Sequence, residues 1–441
     1  MKRATYSQLL NWKASPRRKP LIMYGARQVG KTWLLKEFGK NEYNSTLYLN
    51  FDEDPDVHKY FSGSIAPDHI IAGLEDHFGK KIVPADTLLI FDEIQENQRA
   101  KDSLKYFNEN APQYHIAAAG SFLGIAQGKF PVGQVDEITL RPLSFYEFLE
   151  ATGKQILLEN IRNFKNSNVP SVSVTAESKL KEYMYIGGMP EAVNTFVEKG
   201  NFHETRKVQE KILNNYKNDF TRHIKGTDIP KVRMIWDSIP VHLSKEKKKF
   251  MYREIRTGAR AAAYENALDW LVNTGLVYKI NRTGEARLPL SAYADREAFK
   301  IYMLDTGLLS AAVGLDITSF YESDPVVFRE FRGAITEQFV LQELKTISTD
   351  IALKMPIYYW GKNEGKSEVD FIIQWRNEII PIEVKSGINK KSKSLDIYRE
   401  IYKPGRAIRA TLNNFGIAGS LYSVPLYMIG SIENILNDKP L

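Results

Sequence analysis

Gly25-Ala26-Arg27-Gln28-Val29-Gly30-Lys31-Thr32 fits the pattern GxxxxGK[ST] at every fixed position, and its flanks fit as well. The apolar run LIMY (21–24) precedes it and the helical stretch KTWLLKEFGK (31–40) follows it. A strand, a glycine-bearing loop and a helix start, in that order, wrap backbone N–H groups around a phosphate, and the helix dipole adds to the attraction. On this reading Gly25, Ala26, Arg27, Gln28, Val29 and Gly30 cradle the phosphates of a nucleotide. Lys31 reaches the β- and γ-phosphates, and Thr32 offers its hydroxyl to Mg²⁺.

Further along, Thr87-Leu88-Leu89-Ile90-Phe91-Asp92-Glu93 is an apolar strand that ends in two carboxylates. Asp92 is expected to hold Mg²⁺ from the second side, and Glu93 to polarise the attacking water. A third apolar strand ends at Gly120-Ser121, where Ser121 either senses the γ-phosphate or simply makes a turn. Arg141, after the last strand, is read as a nucleotide or subunit contact or as a surface arginine. The runs LIMY, TLYLNF (46–51), TLLIF (87–91), HIAAA (115–119) and DEITL (136–140) alternate with helical stretches. That alternation predicts a parallel sheet covered on both faces.

The 441 residues suggest about three domains, and an apolar content of 43% is ample for buried cores. There is no cysteine, which excludes disulfides, thiolate chemistry and cysteine-based zinc sites. The net charge of +7 permits nucleic-acid contact without requiring it. The basic start, MKRATYSQLLNWKASPRRKP, lacks the apolar core of a signal peptide. The longest apolar candidate, Ala117 to Ala126, is broken by Gly120, Ser121 and Gly124. The expectation is a cytoplasmic protein with no membrane span.

The motifs together resemble a widespread bacterial and archaeal group of AAA-type ATPases that carry an uncharacterised carboxy-terminal domain. GARQVGKTWLLKEF, LLIFDEIQ, LKYFNEN, AAAGSFLG and RPLSFYEFL are similar to its ATPase core. YMYIGGMPEAV (183–193) and FKIYMLDTGLL (299–309) are similar to its middle region. ITEQFVLQEL and SEVDFIIQ…IIPIEVKSG are similar to its terminal domain. The resemblance implies an α/β protein with a P-loop NTPase parallel sheet of the AAA/ASCE type, a helical and winged-helix middle, and a restriction-endonuclease-like α/β domain at the carboxy terminus. It also implies ATP rather than GTP. The expected boundaries are 1–150 for the ATPase domain, 151–224 for a helical linker region, 225–295 for the winged-helix segment and 296–441 for the terminal domain.

In that terminal domain VDFIIQW (369–375) and EIIPIEVKS (378–386) read as two strands joined by Arg376-Asn377. If those two residues form the turn, Asp370 faces Glu383 on one side of the sheet, and Lys385 shares that face. Two opposed carboxylates need compensation, which a divalent cation and Lys385 would supply. This is the arrangement of a metal-dependent phosphodiesterase, with a lysine steadying the charge that develops at phosphorus. The restriction-endonuclease-like pattern adds Glu337, in ITEQFVLQEL, as a helical metal ligand beside Asp370 and Glu383. The same residues also fit a salt-bridge cluster that cleaves nothing.

Residues 225 to 283 hold 12 Lys or Arg against 6 Asp or Glu, almost the whole excess of the chain. Lys245, Lys247, Lys248 and Lys249 run together, and GARAAAYENALDWLVNTGL followed by VYKI reads as a helix and the first strand of a wing. Such a module can seat a helix in the DNA major groove while lysines meet phosphates, or serve as a protein-interaction module. The leading expectation is therefore a nucleotide-controlled machine acting on nucleic acid, DNA or RNA. The alternatives are an ATP-dependent switch or scaffold that assembles as a homo-oligomer, and a remodelling ATPase for a protein client.

Overall fold

The computed structural model describes residues 1–120, 133–163, 166–224, 226–245, 248–321, 329–347, 355–362, 367–387 and 392–437; at 166, 222, 223, 329 and 330 it describes the backbone alone. The chain divides into two compact units. One is Met1–Arg141 with Asn273–Gly275, and the other is Pro142–Val272 with Leu276–Leu441.

The first unit contains α1 (Thr5–Ala14), β1 (Leu21–Tyr24), α2 (Lys31–Glu42), β2 (Ser45–Asn50), α3 (Pro67–Phe78), β3 (Thr87–Asp92), α4 (Gln98–Asn110), β4 (His115–Gly120) and β5 (Asp136–Thr139). All five expected strands are present. They form one parallel sheet in the order β2-β3-β4-β1-β5. The inner strands β1, β3 and β4 are buried at every position, which is why they read as unbroken apolar runs. The edge strands β2 and β5 keep partly open positions. Ile22, Leu49, Leu89, Phe91, Phe107 and Ile116 belong to the core that fixes the sheet against its helices. In this order β4 separates β1 from β3, so the loop after β1 and the carboxylates ending β3 lie along one end of the sheet.

The second unit begins with five helices: α5 (Phe145–Ala151), α6 (Gln155–Arg162), α7 (Pro170–Ile186), α8 (Pro190–Lys199) and α9 (Phe202–His223). The polar stretch PSVSVTAES (170–178) is helical. Pro170 occupies the first turn of α7, where its missing N–H costs nothing, and Ala176 and Leu180 are buried. SVSVT itself stays exposed or half-buried and has weak helix propensity, so the helix is anchored by the buried residues that follow it. Next come α10 (Ile229–Ser244), α11 (Ala261–Asn273), β6 (Val277–Thr283), β7 (Ala294–Met303), α12 (Thr306–Ala312) and α13 (Arg329–Ile347). The chain closes with β8 (Ile357–Gly361), β9 (Glu368–Trp375), β10 (Glu378–Val384), α14 (Lys393–Tyr402), β11 (Ala407–Thr411), β12 (Gly416–Ala418), β13 (Leu421–Pro425) and α15 (Ile432–Asn437).

The expected wing is the antiparallel hairpin β6–β7. It does not stand free. The other edge of β6 pairs with β8 through Arg282↔Tyr359 and Thr283↔Trp360, so the hairpin closes one side of an eight-stranded mixed sheet, β12-β13-β11-β10-β9-β8-β6-β7. A boundary at 295 falls inside β7. Behind this sheet Trp360, Val369, Ile372, Leu395 and Tyr398 pack into a core with α14.

Candidate functional site

The phosphate loop lies between β1 and α2. Its backbone needs two left-handed residues, Gln28 at φ 65° and Gly30 at φ 94°. Gly25 is held by close packing: a Cβ there would lie 2.4 Å from the Leu140 carbonyl oxygen. Lys31 is buried, and its ammonium donates to the carbonyls of Gly25 at 3.0 Å and Ala26 at 2.9 Å. Burial draws its pKa below the ordinary lysine value, while Glu93 and Asp92 pull the other way.

Asp92, at the end of β3, is buried and crowded with donors. Its Oδ2 accepts from Thr32 Oγ1 at 2.7 Å and from Tyr48 Oη at 2.9 Å, and its Oδ1 accepts the Glu93 N–H at 3.1 Å. Glu93 has left-handed backbone angles, φ 49° and ψ 42°, an uncommon conformation for a side chain of this kind. Gln95 Nε2 donates to its Oε2. Thr32 and Asp92 therefore converge, as two hard oxygen ligands for Mg²⁺ must.

Sequence reasoning missed two residues here. Arg3, buried, donates to the carbonyls of Val29 at 3.1 Å and Arg141 at 2.5 Å, tying the phosphate loop to the segment after β5. Tyr48 reaches Asp92 from β2. No motif marks either one. Ser121 lies outside the described residues, and Arg141 meets Arg3 through its backbone.

In the second unit the register of β9 against β10 runs from Glu378↔Trp375 to Ile382↔Phe371, which continues to Glu383 opposite Asp370. Arg376 takes the turn at φ 54°. Asp370 Oδ2 accepts the Val384 N–H at 2.8 Å, and Lys385 Nζ donates to Glu383 Oε1 at 2.7 Å. Glu337, on α13, joins them: Tyr302 Oη lies 3.3 Å from its Oε2, and Lys248 forms an ion pair with its Oε1. Lys300, fully buried on β7, pairs with Glu368 at 2.6 Å. The lysine partners Lys248 and Lys300 were not anticipated as such.

Burial, reinforced by Glu337 and Glu383, pushes the Asp370 carboxyl well above the usual range. Burial also raises Glu383, against the pull of Lys385. Burial would raise Glu337 too, but Lys248 and Lys300 outweigh it and the net direction is down. Among the described residues, no group of three or more His, Cys, Asp or Glu side chains is arranged to hold a metal ion. Glu337, Glu368 and Glu383 each meet a lysine instead. Beside this cluster Arg332, Thr336, Ser386 and Gly387 line a cleft with Phe320 and Tyr321.

Residues 17–149 match the family model of an AAA domain. With the strand order and the loop, that match makes the first unit an AAA-type P-loop NTPase domain. Residues 177–319 match a domain of unknown function (DUF8612), and residues 332–429 match another (DUF4143). The uncharacterized protein MJ1637 of Methanocaldococcus jannaschii is 25% identical over 215 residues, which is 43% of this chain and 44% of that protein. The match therefore spans less than half the length of this relative. Among solved structures, the Walker-type ATPase PABY2304 of Pyrococcus abyssi is similar over 71% of this chain and 95% of its own, at 14% identity and a TM-score of 0.42. The ORC1 protein of Aeropyrum pernix, solved in complex with DNA, is similar over 72% of this chain and 94% of its own, at 10% identity and a TM-score of 0.29. Among the described residues no helix is long and apolar enough to cross a membrane.

Proposed function

We propose that the first unit hydrolyses ATP with Mg²⁺, and that this reaction controls a second unit that acts on nucleic acid. The observation that carries the ATPase reading is the convergence of Lys31, Thr32, Asp92 and Glu93 at one end of the sheet. Thr32 and Asp92 would hold Mg²⁺, which neutralises phosphate charge when bound. Lys31 leaves the carbonyls of Gly25 and Ala26 for the phosphates, and the loop N–H groups bind the remaining oxygens. Glu93 orients water and accepts its proton. The test is ATP turnover by the full chain. Lys31→Ala and Glu93→Gln should each lose at least about 100-fold, the latter while still binding nucleotide. A wild type that neither binds nor turns over ATP would refute the reading.

For the second unit, the basic balance of residues 225 to 283 and the cleft beside Lys385 support contact with a phosphodiester backbone. Asp370, Glu383 and Lys385 have the residue types of a metal-dependent nuclease. The lysine paired with each of Glu337, Glu368 and Glu383 favours a second reading, a nuclease-like domain that binds without cleaving and serves a switch or scaffold. Supercoiled plasmid and short single strands in Mg²⁺ or Mn²⁺, with and without ATP, separate the two. Cleavage abolished by Asp370→Ala supports the nuclease, and dependence on Lys31 supports control by ATP. Salt-dependent binding without cleavage supports the second reading. No binding at 0.15 M salt, with turnover stimulated by a protein client, removes nucleic acid altogether.

A further inference from the structure

We infer that Tyr48 is the positioning residue for Asp92, holding that carboxylate in the orientation that receives the divalent cation of the nucleotide site. The inference rests on the ATP-site reading above and extends it to a residue outside the nucleotide motifs. Tyr48 lies on β2, which pairs in register with β3: Tyr48 is beside Ile90, and Asn50 beside Asp92. From there its hydroxyl reaches Asp92 Oδ2 at 2.9 Å, the same oxygen that Thr32 Oγ1 meets at 2.7 Å.

The direction of the Tyr48 hydrogen bond is set by its neighbours. Asn50 Oδ1 accepts the N–H groups of Asp52 at 3.0 Å and Glu53 at 3.3 Å, so its amide nitrogen faces the other way. That nitrogen donates to the Tyr48 oxygen at 3.2 Å. The phenol oxygen is thus engaged as an acceptor, and its single proton is directed to Asp92. The ring is pinned as well, with the Lys36 ammonium 3.4 Å from its centroid. Asp92 is therefore gripped from the loop by Thr32, from its own backbone by Glu93 N–H, and from the neighbouring strand by Tyr48. A carboxylate held this way cannot swing, and outer partners of metal-ligating carboxylates commonly govern metal affinity by 10- to 100-fold, as an order of magnitude.

Tyr48→Phe removes one oxygen and keeps the ring. The first measurement is Mn²⁺ binding to the full chain in the presence of ADP, followed by electron paramagnetic resonance. The second is the Mg²⁺ dependence of turnover. Mn²⁺ affinity should fall, and the Mg²⁺ half-saturation rise, by about 10-fold or more. Turnover at saturating Mg²⁺ and ADP affinity in EDTA should stay within about threefold of wild type. In an Asp92→Asn background Tyr48→Phe should cause no further loss, since it acts through Asp92. Wild-type Mn²⁺ affinity in Tyr48→Phe, or an equal loss in both backgrounds, overturns the assignment while leaving the ATP site intact. A wild type that binds ADP with no Mn²⁺ beside it overturns the metal site and the assignment together.

Discussion

The Glu343 carboxylate accepts the backbone N–H of Phe145 at 2.9 Å, entirely inside the second unit. Burial, with repulsion from Glu147, pushes its pKa to about 8. An unfolded glutamate ionises near 4.5, so between about 4.5 and 8 the folded chain holds a proton that the unfolded chain lacks. Stability therefore falls as pH rises through that window, by up to about 1.4 kcal/mol per pH unit for this group, and levels off above it. Glu343→Gln keeps the acceptor and removes the proton. Urea unfolding from pH 5 to 9 should give a variant whose stability declines less steeply than wild type between pH 6 and 8. Parallel curves would refute the assignment. Asp305, which burial raises to about 6 despite hydrogen bonds from Gly188 and Leu308, acts in the same sense over a lower window.

Gly25→Ala tests the closeness of the phosphate loop to the segment after β5. The added methyl would lie 2.4 Å from the Leu140 oxygen, so backbone must move. Thermal unfolding should show a loss of about 1–3 kcal/mol, and ATP affinity should drop at least about 10-fold as the loop N–H groups shift. Wild-type affinity would mean that the loop relaxes freely.

Lys248→Met leaves Glu337 with one cation fewer in a mostly buried setting, the two side chains being 13% and 8% exposed. Removing one partner of such a pair costs about 3 kcal/mol near neutral pH. Glu337 is held below its ordinary value of 4.5, so the stabilisation is present above that pH and is lost as pH falls through the folded value. The difference between variant and wild type should shrink correspondingly in acid. Denaturant unfolding at pH 7 and pH 4 measures both effects. A loss below about 0.5 kcal/mol at pH 7 would mean that the pair is effectively solvated.

Asp370→Asn should behave in the opposite way. Burial and the neighbouring Glu337 and Glu383 favour the protonated form of Asp370, and an amide oxygen can accept the Val384 N–H in its place. Its stability should stay within about 1 kcal/mol of wild type at pH 7. A large loss would mean that Asp370 is charged in the folded protein.

The first unit was legible because β1, β3 and β4 are buried on both faces, so each appears as an unbroken apolar run next to a motif with fixed spacing. The facing of Asp370 and Glu383 was legible too, because a two-residue turn sets the pairing of the strands it joins. The long-range contacts were not. Lys248 lies 89 residues from Glu337, and Arg3 lies 138 residues from Arg141. Lys300 reads as an ordinary charge in ADREAFKIYM, yet it is fully buried. A lysine that will meet a carboxylate across a sheet carries the same local pattern as one that will face water. The participation of β6 and β7 in the large sheet was hidden for the same reason, since a hairpin shows its turn in sequence but not the strand on its far edge.

Because β6 sits between β7 and β8, hydrogen-bonded to both, the chain after residue 296 is not a separable module. A fragment starting there would carry most of β7 without the strand that joins it to β8, and would leave β8 with an open, unpaired edge, the kind of edge through which strands aggregate. The β6–β7 hairpin and the strands from β8 onward should therefore melt in a single cooperative transition. Grafting the terminal segment onto another carrier would succeed only if the cut were made upstream of Val277.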